Sequence, residues 1–299
     1  MSLFAPAERQ KAKARLAITG VTGAGKTLGA LWLAYGMTGD WSKIALIDTE
    51  HERARFYAER EDLEIGQFLY APLYAPYSAE RYRQYVAEAA KEVGSDGVVI
   101  IDSFSHAWNQ EDGVLDYKEK IAGQPGKNSY TAWNEAGRVQ NGLVNFILGA
   151  DCHTIVTMRS KMEYEVIENE RGKKEPRRIG LAPIQRDDTE YEFDIVFDVG
   201  RDHYARTTKD TTFLDDFCAP LSISLGADIN KWLNNAKDAP KRELCHECGT
   251  IITASPNKTA IEIVEGTRKS AGKQMCLKCF NDWRKSQVKD NADTAPVSE

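Results

Sequence analysis

The sequence predicts an α/β domain, a mainly parallel sheet flanked by helices, joined to a small C-terminal metal-binding module. Three observations carry this reading. Strand-length stretches at 15–19, 43–48 and 97–102, each with an apolar centre, alternate with stretches of helical periodicity, as strands buried on both faces do in βαβ units. A glycine-rich turn joins the first run directly to the first helical stretch. Two Cys-x-x-Cys pairs stand near the C-terminus.

Composition sets the frame. With 299 residues, 42% hydrophobic and 28% charged, the chain has the content of an ordinary globular protein and length enough for a substantial core. No run approaches 18 apolar residues, and "MSLFAPAERQKAKAR" lacks the apolar segment of a secretory signal, so a cytoplasmic protein is expected. The net charge of −6 excludes a uniformly basic coat, but residues 241–290 hold ten Lys/Arg against six Asp/Glu. That segment is net +4, which leaves about −10 for the rest, an acidic body with a basic appendage.

Each element follows from its pattern. "RLAIT" (15–19) is a strand, and "KTLGALWLAYGM" (26–37) a buried helix with Leu28, Leu31, Ala34 and Tyr35 on one face. The strand at 43–48 completes a βαβ unit. Residues 79–93 form an amphipathic helix, 97–102 a buried strand, and 129–149 a long helix with Trp133, Val139, Leu143 and Phe146 inward, leading to a strand at 153–158. Residues 162–181 read as a hairpin with a charged tip, 194–215 as antiparallel strands and 227–236 as a last short helix. The resulting domains are 1–236, a linker at 237–243, a cysteine module at 244–285 and a disordered tail at 286–299.

"GVTGAGKT" (20–27) fits G-x-x-x-x-G-K-[ST] at every fixed position, between a strand and a helix as the motif requires. Gly20, Gly23 and Gly25, with Val21, Thr22 and Ala24 between them, let backbone N–H groups wrap phosphates at a helix N-terminus. Lys26 reaches the β- and γ-phosphates, and the Thr27 hydroxyl holds Mg²⁺. "VVIIDS" (98–103) ends a buried strand in Asp102, the expected second acid for that metal. Hydrolysis also needs a group that positions water, and Asp102 is followed by Ser103, Phe104 and Ser105, with no glutamate. The strand 43–48 supplies one: "IDTEH" places Glu50 at the sheet edge where ligands of α/β folds bind.

Taken in order, "GVTGAGKT", "IDTEH" and "IIDS" resemble the RecA family of recombination ATPases, whose phosphate loop, Asp-x-Glu-His strand end and Asp-Ser strand end follow in the same succession. The stretches "KARLAITGVTGAGKT", "IDSFSHAW", "TMRSKMEYEV" and "QRDDTEYEFDIVFD" look like recurrent segments of small RecA-like ATPases encoded by bacteriophages, some described as single-strand annealing recombinases. This resemblance covers roughly residues 10–235. It implies a RecA-like P-loop core that hydrolyses ATP with Mg²⁺, Glu50 as general base and Asp102 as metal acid. It also implies action on single-stranded DNA in recombination or annealing, a homo-oligomer, a phage or host single-strand-binding protein as partner, and a bacterial host cytoplasm. Two departures set filament assembly and ATP–DNA coupling by RecA's route aside: fewer than fifteen residues precede the first strand, and the strand 153–158 runs into Arg159 with no sensing glutamine.

Four cations qualify as phosphate sensors or fingers: Arg159 and Lys161 at that strand end, and Arg206 and Lys209 in "YARTTKD". For any one of them a surface salt bridge is the simpler reading. The hairpin's Lys173, Lys174, Arg177 and Arg178 suit a phosphate backbone, yet five nearby glutamates equally suit a solvated hairpin. Trp108 and Trp133 read as base-stacking rings or as core.

Cys245, Cys248, Cys276 and Cys279 form C-x₂-C-x₂₇-C-x₂-C, a tetrahedral zinc signature whose four sulfurs leave no open catalytic position. The interval holds a β-hairpin at "TAIEIVEG", His246 is not a ligand, and Cys152 and Cys218 are small buried residues. "FNDWRKSQVK" combines Phe280 and Trp283 with cations, which suits single-stranded nucleic acid as well as a miniature fold that docks protein. Rival readings of the whole chain are a RecA-like replication motor or helicase loader, and a nucleotide-dependent switch that recruits a partner through the zinc module.

Overall fold

The computed structural model describes residues 6–168, 174–238 and 243–292, with the side chains of 162–180 and 288–292 outside that description. The chain divides into two compact units, Met1–Asp238 and Ala239–Glu299. The hairpin's basic tip, its glutamates and the tail from 293 fall outside the described side chains.

In the first unit, β1 (Arg15–Gly20), α1 (Lys26–Thr38), β2 (Ile44–Asp48), β3 (Leu69–Pro72), α2 (Ala79–Val93) and β4 (Val98–Asp102) come first. Then follow α3 (His106–Asn109), α4 (Val114–Ala122), α5 (Ser129–Leu148), β5 (His153–Glu168) and β6 (Lys174–Pro183). The unit ends with β7 (Ile195–Val199), β8 (Tyr204–Asp210), β9 (Cys218–Pro220) and α6 (Ile223–Asn234). The strand order is β3-β2-β4-β5-β1-β7-β8-β9, parallel as far as β7 and antiparallel after it, while β6 pairs with the outer half of β5.

The apolar runs are continuous because both faces of the sheet are covered, and side chains alternate between the faces. Leu16, Ile18, Ile44, Leu46, Val98 and Ile100 enter one core with residues of α1 and α6. Ala17, Ala45, Ile47, Val99 and Ile101 enter a second core with residues of α2 and α5. Each fully buried Leu or Ile contributes roughly 1.5–3 kcal/mol. Helices α1 and α6 touch backbone to backbone: a Cβ on Gly36 would stand 2.0 Å from the Ile223 carbonyl oxygen, and one on Gly226 2.3 Å from that of Leu33. Only glycine fits at either place.

The structure corrects several expectations. Helix α5 buries Ala132, Ala136, Gln140, Leu143, Val144 and Ile147, while Trp133 is 44% exposed. Of the expected inward residues Leu143 is buried and Val139 and Phe146 pack against the second core, so only Trp133 departs. Strand β7 is antiparallel to β8, as expected, but its other edge lies parallel beside β1, so the ribbon is continuous with the parallel sheet. Cys218 is exposed, because β9 is the sheet's edge. Strand β3 and helix α4, short and half-exposed, carried no strong pattern.

In the second unit, α7 (Ala260–Ala271) and α8 (Leu277–Ala292) follow an isolated bridge between Leu244 and Ile251. The expected hairpin at 259–266 is helical from Ala260. Thr259 and Glu262 form a reciprocal capping box, and Ile263, Val264 and Thr267 bury one face. Capping and tertiary contact override the β-branched residues. Helix α8 continues past residue 285 to Ala292.

Candidate functional site

The carboxyl ends of β1, β2 and β4 open on one cavity of about 800 Å³, lined by Thr22–Gly29, Glu50, Asp102 and further side chains described below. At its floor the glycine-rich turn crowds the sheet: Gly20 has φ 147°, and a Cβ there would lie 2.5 Å from the Val199 carbonyl oxygen. No side chain caps the start of α1, and no acid occupies its first turn, so its N–H groups are free for an anion. Lys26 Nζ donates to the carbonyls of Gly20 (2.9 Å) and Val21 (3.0 Å). Burial lowers the Lys26 pKa, and Asp102 and Glu50 offset that only in part.

Thr27 Oγ1 donates to Asp102 Oδ2 at 2.5 Å, and Thr157 donates to the other oxygen. Asp102 is 4% exposed. Burial pushes its carboxyl above the ordinary range, with Glu50 and Asp48 adding to the rise against the two hydroxyls. A buried acid held up by neighbouring carboxylates, with a threonine oxygen in contact, is a donor set that fits Mg²⁺.

Glu50 is placed by Asp48. The Asp48 carboxylate accepts the N–H of Glu50 (2.6 Å) and of Ala54 (3.0 Å), and the Tyr70 hydroxyl (3.1 Å). Thr49 closes the turn from behind, accepting the Ser103 N–H at 2.8 Å and meeting His106 Nδ1 at 2.5 Å. Glu50 Oε1 accepts from Arg159 Nε at 2.6 Å. Burial raises the Glu50 pKa, but the Arg159 hydrogen bond and the charges of Arg159, His106 and Lys26 outweigh it, leaving the carboxyl below its usual range. Arg159 is itself anchored, its N–H donating to Ser105 Oγ at 2.9 Å.

Lys26, Thr27, Glu50 and Asp102 therefore meet in one cavity, with Arg159 engaged on Glu50. Lys161 is exposed and is not among the lining residues, nor are Arg206 and Lys209 on β8, where Lys209 bonds the Tyr191 carbonyl. Trp32, Arg53, Phe56, Tyr57, Arg60 and His203 also line the cavity and escaped the sequence reading. His203 Nδ1 lies 3.0 Å from the Ala24 carbonyl oxygen; a carbonyl only accepts, so Nδ1 carries the hydrogen. The arginine and aromatic residues packed into "RARFYAER", directly after "TEHE", were a usable signal for the near wall. The turn carrying His203 had none.

Two imidazoles set an acid limit on the fold. Burial and the Arg159 charge push His106 down to about 4, and burial with Lys13 and Arg15 pushes His153 down to about 4. His153 Nδ1 accepts the Ala14 N–H at 2.9 Å, a bond only the neutral ring makes. Unfolded histidine protonates near 6.5. Between 6.5 and about 4 the unfolded chain thus binds more protons than the folded one, and stability falls as pH falls. Denaturant titrations should show a loss on the order of 3 kcal/mol per histidine across that window. His153→Asn, which keeps an acceptor for Ala14, should remove its share of the slope; an unchanged slope would refute the assignment.

In the second unit the sulfurs of Cys245, Cys248, Cys276 and Cys279 all lie within 4.8 Å of one another, with Cys248 and Cys276 3.8 Å apart. Zinc–sulfur bonds of about 2.3 Å in a tetrahedron require sulfur separations of about 3.8 Å, so the donor set fits zinc. The knuckles are joined by the His246 N–H, which donates to the Gln274 carbonyl at 2.9 Å. The His246 ring faces Glu247, outside the sulfur cluster. Phe280 and Trp283 stack at 5.6 Å and pack on the module's core.

An uncapped helix start, a lysine resting on its own loop and a buried acid beside a threonine hydroxyl meet the demands of a magnesium-bound polyphosphate. Fold and site together define the class, a phosphate-loop NTPase. The AAA domain family matches residues 12–216, more than two thirds of the chain, and the chain belongs to that family. The first unit is thus an AAA-type P-loop ATPase domain, equipped to bind and hydrolyse a nucleotide. Among curated proteins, none matches the chain. No helix among the described residues is long and apolar enough to cross a membrane.

Proposed function

We propose that the chain is a RecA-like, Mg²⁺-dependent ATPase that acts on single-stranded DNA in phage recombination or annealing, in the bacterial host cytoplasm. The observation that carries the proposal is the position of Glu50. It reaches the cavity from β2, which neighbours Asp102's strand β4, and does not follow Asp102 in sequence. In this reading Lys26 and the free N–H groups of α1 bind the β- and γ-phosphates. Thr27 and Asp102 hold Mg²⁺, which neutralises charge on the β–γ oxygens when bound. Glu50 orients and deprotonates the attacking water. Arg159 holds Glu50 until the γ-phosphate competes for its guanidinium, which makes it a sensor.

Arg206 and Lys161 have exposed side chains with no ion pair among the described residues. In a homo-oligomer either is free to act as a finger on a neighbouring subunit's nucleotide. Both stand on strands, Arg206 on β8 and Lys161 on β5. The packing of Phe280 and Trp283 into the zinc module favours a structural role for those rings. The DNA contact then falls to other surfaces, and a single-strand-binding protein is a fitting partner for the module.

The test is the ATPase rate of the full chain with and without single-stranded DNA, over a salt series. The proposal expects Mg²⁺-dependent hydrolysis stimulated by the DNA, and DNA binding that weakens steeply with salt as counterions are released. A rate indifferent to DNA, with no binding at low salt, removes the recombination reading and leaves the ATPase.

A further inference from the structure

Nearly every charge in the nucleotide cavity is already engaged. Lys26 rests on two loop carbonyls, Glu50 on Arg159 (which does not itself line the cavity), and Arg60 on Asp62 through two bonds of 2.7 and 2.6 Å. Arg53 is the exception. It lines the same cavity, yet among the described residues its side chain has neither hydrogen bond nor ion pair.

Its place is nevertheless fixed. Asp48 ties the N–H groups of Glu50 and Ala54 to one carboxylate, so the intervening residues form a closed turn. Inside it His51 and Glu52 take left-handed backbone (φ 58° and 61°), and the Arg53 N–H donates to the Glu50 carbonyl at 3.4 Å. Glu50 and Arg53 therefore move as one piece. Phe56, on the same segment, also faces the cavity and is 76% exposed. The segment presents a bare cation and a bare ring to a space that has to receive a polyanion attached to a flat base.

We propose that Arg53 is a second phosphate-binding cation of this site, closing on the polyphosphate of the bound nucleotide from the Glu50 side while Lys26 holds it from the loop. This deepens the nucleotide reading and rests on it. A guanidinium is suited to the task because its planar fork matches two phosphate oxygens at once and it never loses its charge. Held on the turn of Glu50, it also fixes the distance between the phosphate chain and that carboxylate.

The experiment displaces a fluorescent ATP analogue from the full chain with either ATP or inorganic triphosphate, both with Mg²⁺, in wild type, Arg53→Gln and Arg53→Lys. Arg53→Gln should weaken ATP and triphosphate alike, by roughly tenfold or more, since one charge-assisted contact is lost from each. Arg53→Lys should recover part of both. Weakened ATP with unchanged triphosphate would place the guanidinium on the base and overturn the proposal, as would unchanged affinity for both. A wild-type chain that binds neither ligand overturns the nucleotide reading itself, an outcome distinct from the other two. Arg53 is exposed, so matching melting temperatures should show that the variants fold.

Discussion

Glu50→Gln is expected to leave ATP bound and to lower its turnover by roughly 10²- to 10⁴-fold, the usual contribution of a positioned general base. The amide keeps the shape and can still accept from Arg159, so the turn built on Asp48, Thr49 and Ala54 survives. What is lost is the ability to take a proton from water. Asp102→Asn should behave differently. It weakens the Mg²⁺ site that Asp102 forms with Thr27, so nucleotide binding becomes less dependent on the metal as the rate falls. Equilibrium binding of ATP with and without Mg²⁺, set beside the steady-state rate, separates the two. The reference carboxylate is below its usual range, so the base is ionised at neutral pH and needs no activation. Undiminished turnover in Glu50→Gln would mean that another group positions the water, and the link to RecA-like chemistry would be lost with it.

Some of this arrangement was readable in the sequence because local physics leaves few options. Gly20 is glycine because a carbonyl lies where its Cβ would be. The runs at β1, β2 and β4 are apolar without a break because both faces are covered, and their ends show which polar residues stand at the ligand edge. Other features depend on contacts between distant segments and leave no local trace. The inward face of α5 includes Gln140, which is polar but donates to Gln185 at 2.9 Å, so the sequence does not show that it is buried. The engagement of Arg159 by Glu50 joins residues 109 positions apart; each was identified, but the pair was not. Arg53 carries no signal of its own in the sequence. Its meaning comes from its lacking a partner among the described residues while lining the cavity, and no sequence states that.

Removing zinc should have the other large effect, unfolding the second unit while the ATPase domain keeps its nucleotide. The module's buried core amounts to Cys245, Ile252, Ile263, Val264 and Met275, with Phe280 and Trp283 packed against it, and a core this small rarely sustains a fold without a staple. Two of these five buried residues, Cys245 and Met275, form or adjoin the knuckles, so the metal and the apolar contacts hold the same joints. Structural zinc supplies about 10–16 kcal/mol of apparent binding free energy at neutral pH, more than the whole stability of a typical small domain. Without it, four thiols are left crowded within 4.8 Å, and α7 and α8 have little else to keep them together. Metal analysis should return one zinc per chain. A strong chelator, or Cys276→Ser, should cost the helical signal of α7 and α8 and open the segment 243–292 to protease, with ATP affinity unchanged. Should the chelated chain keep that signal and resist protease, the four sulfurs do not hold a structural metal, and the module's stability has to come from its apolar contacts alone.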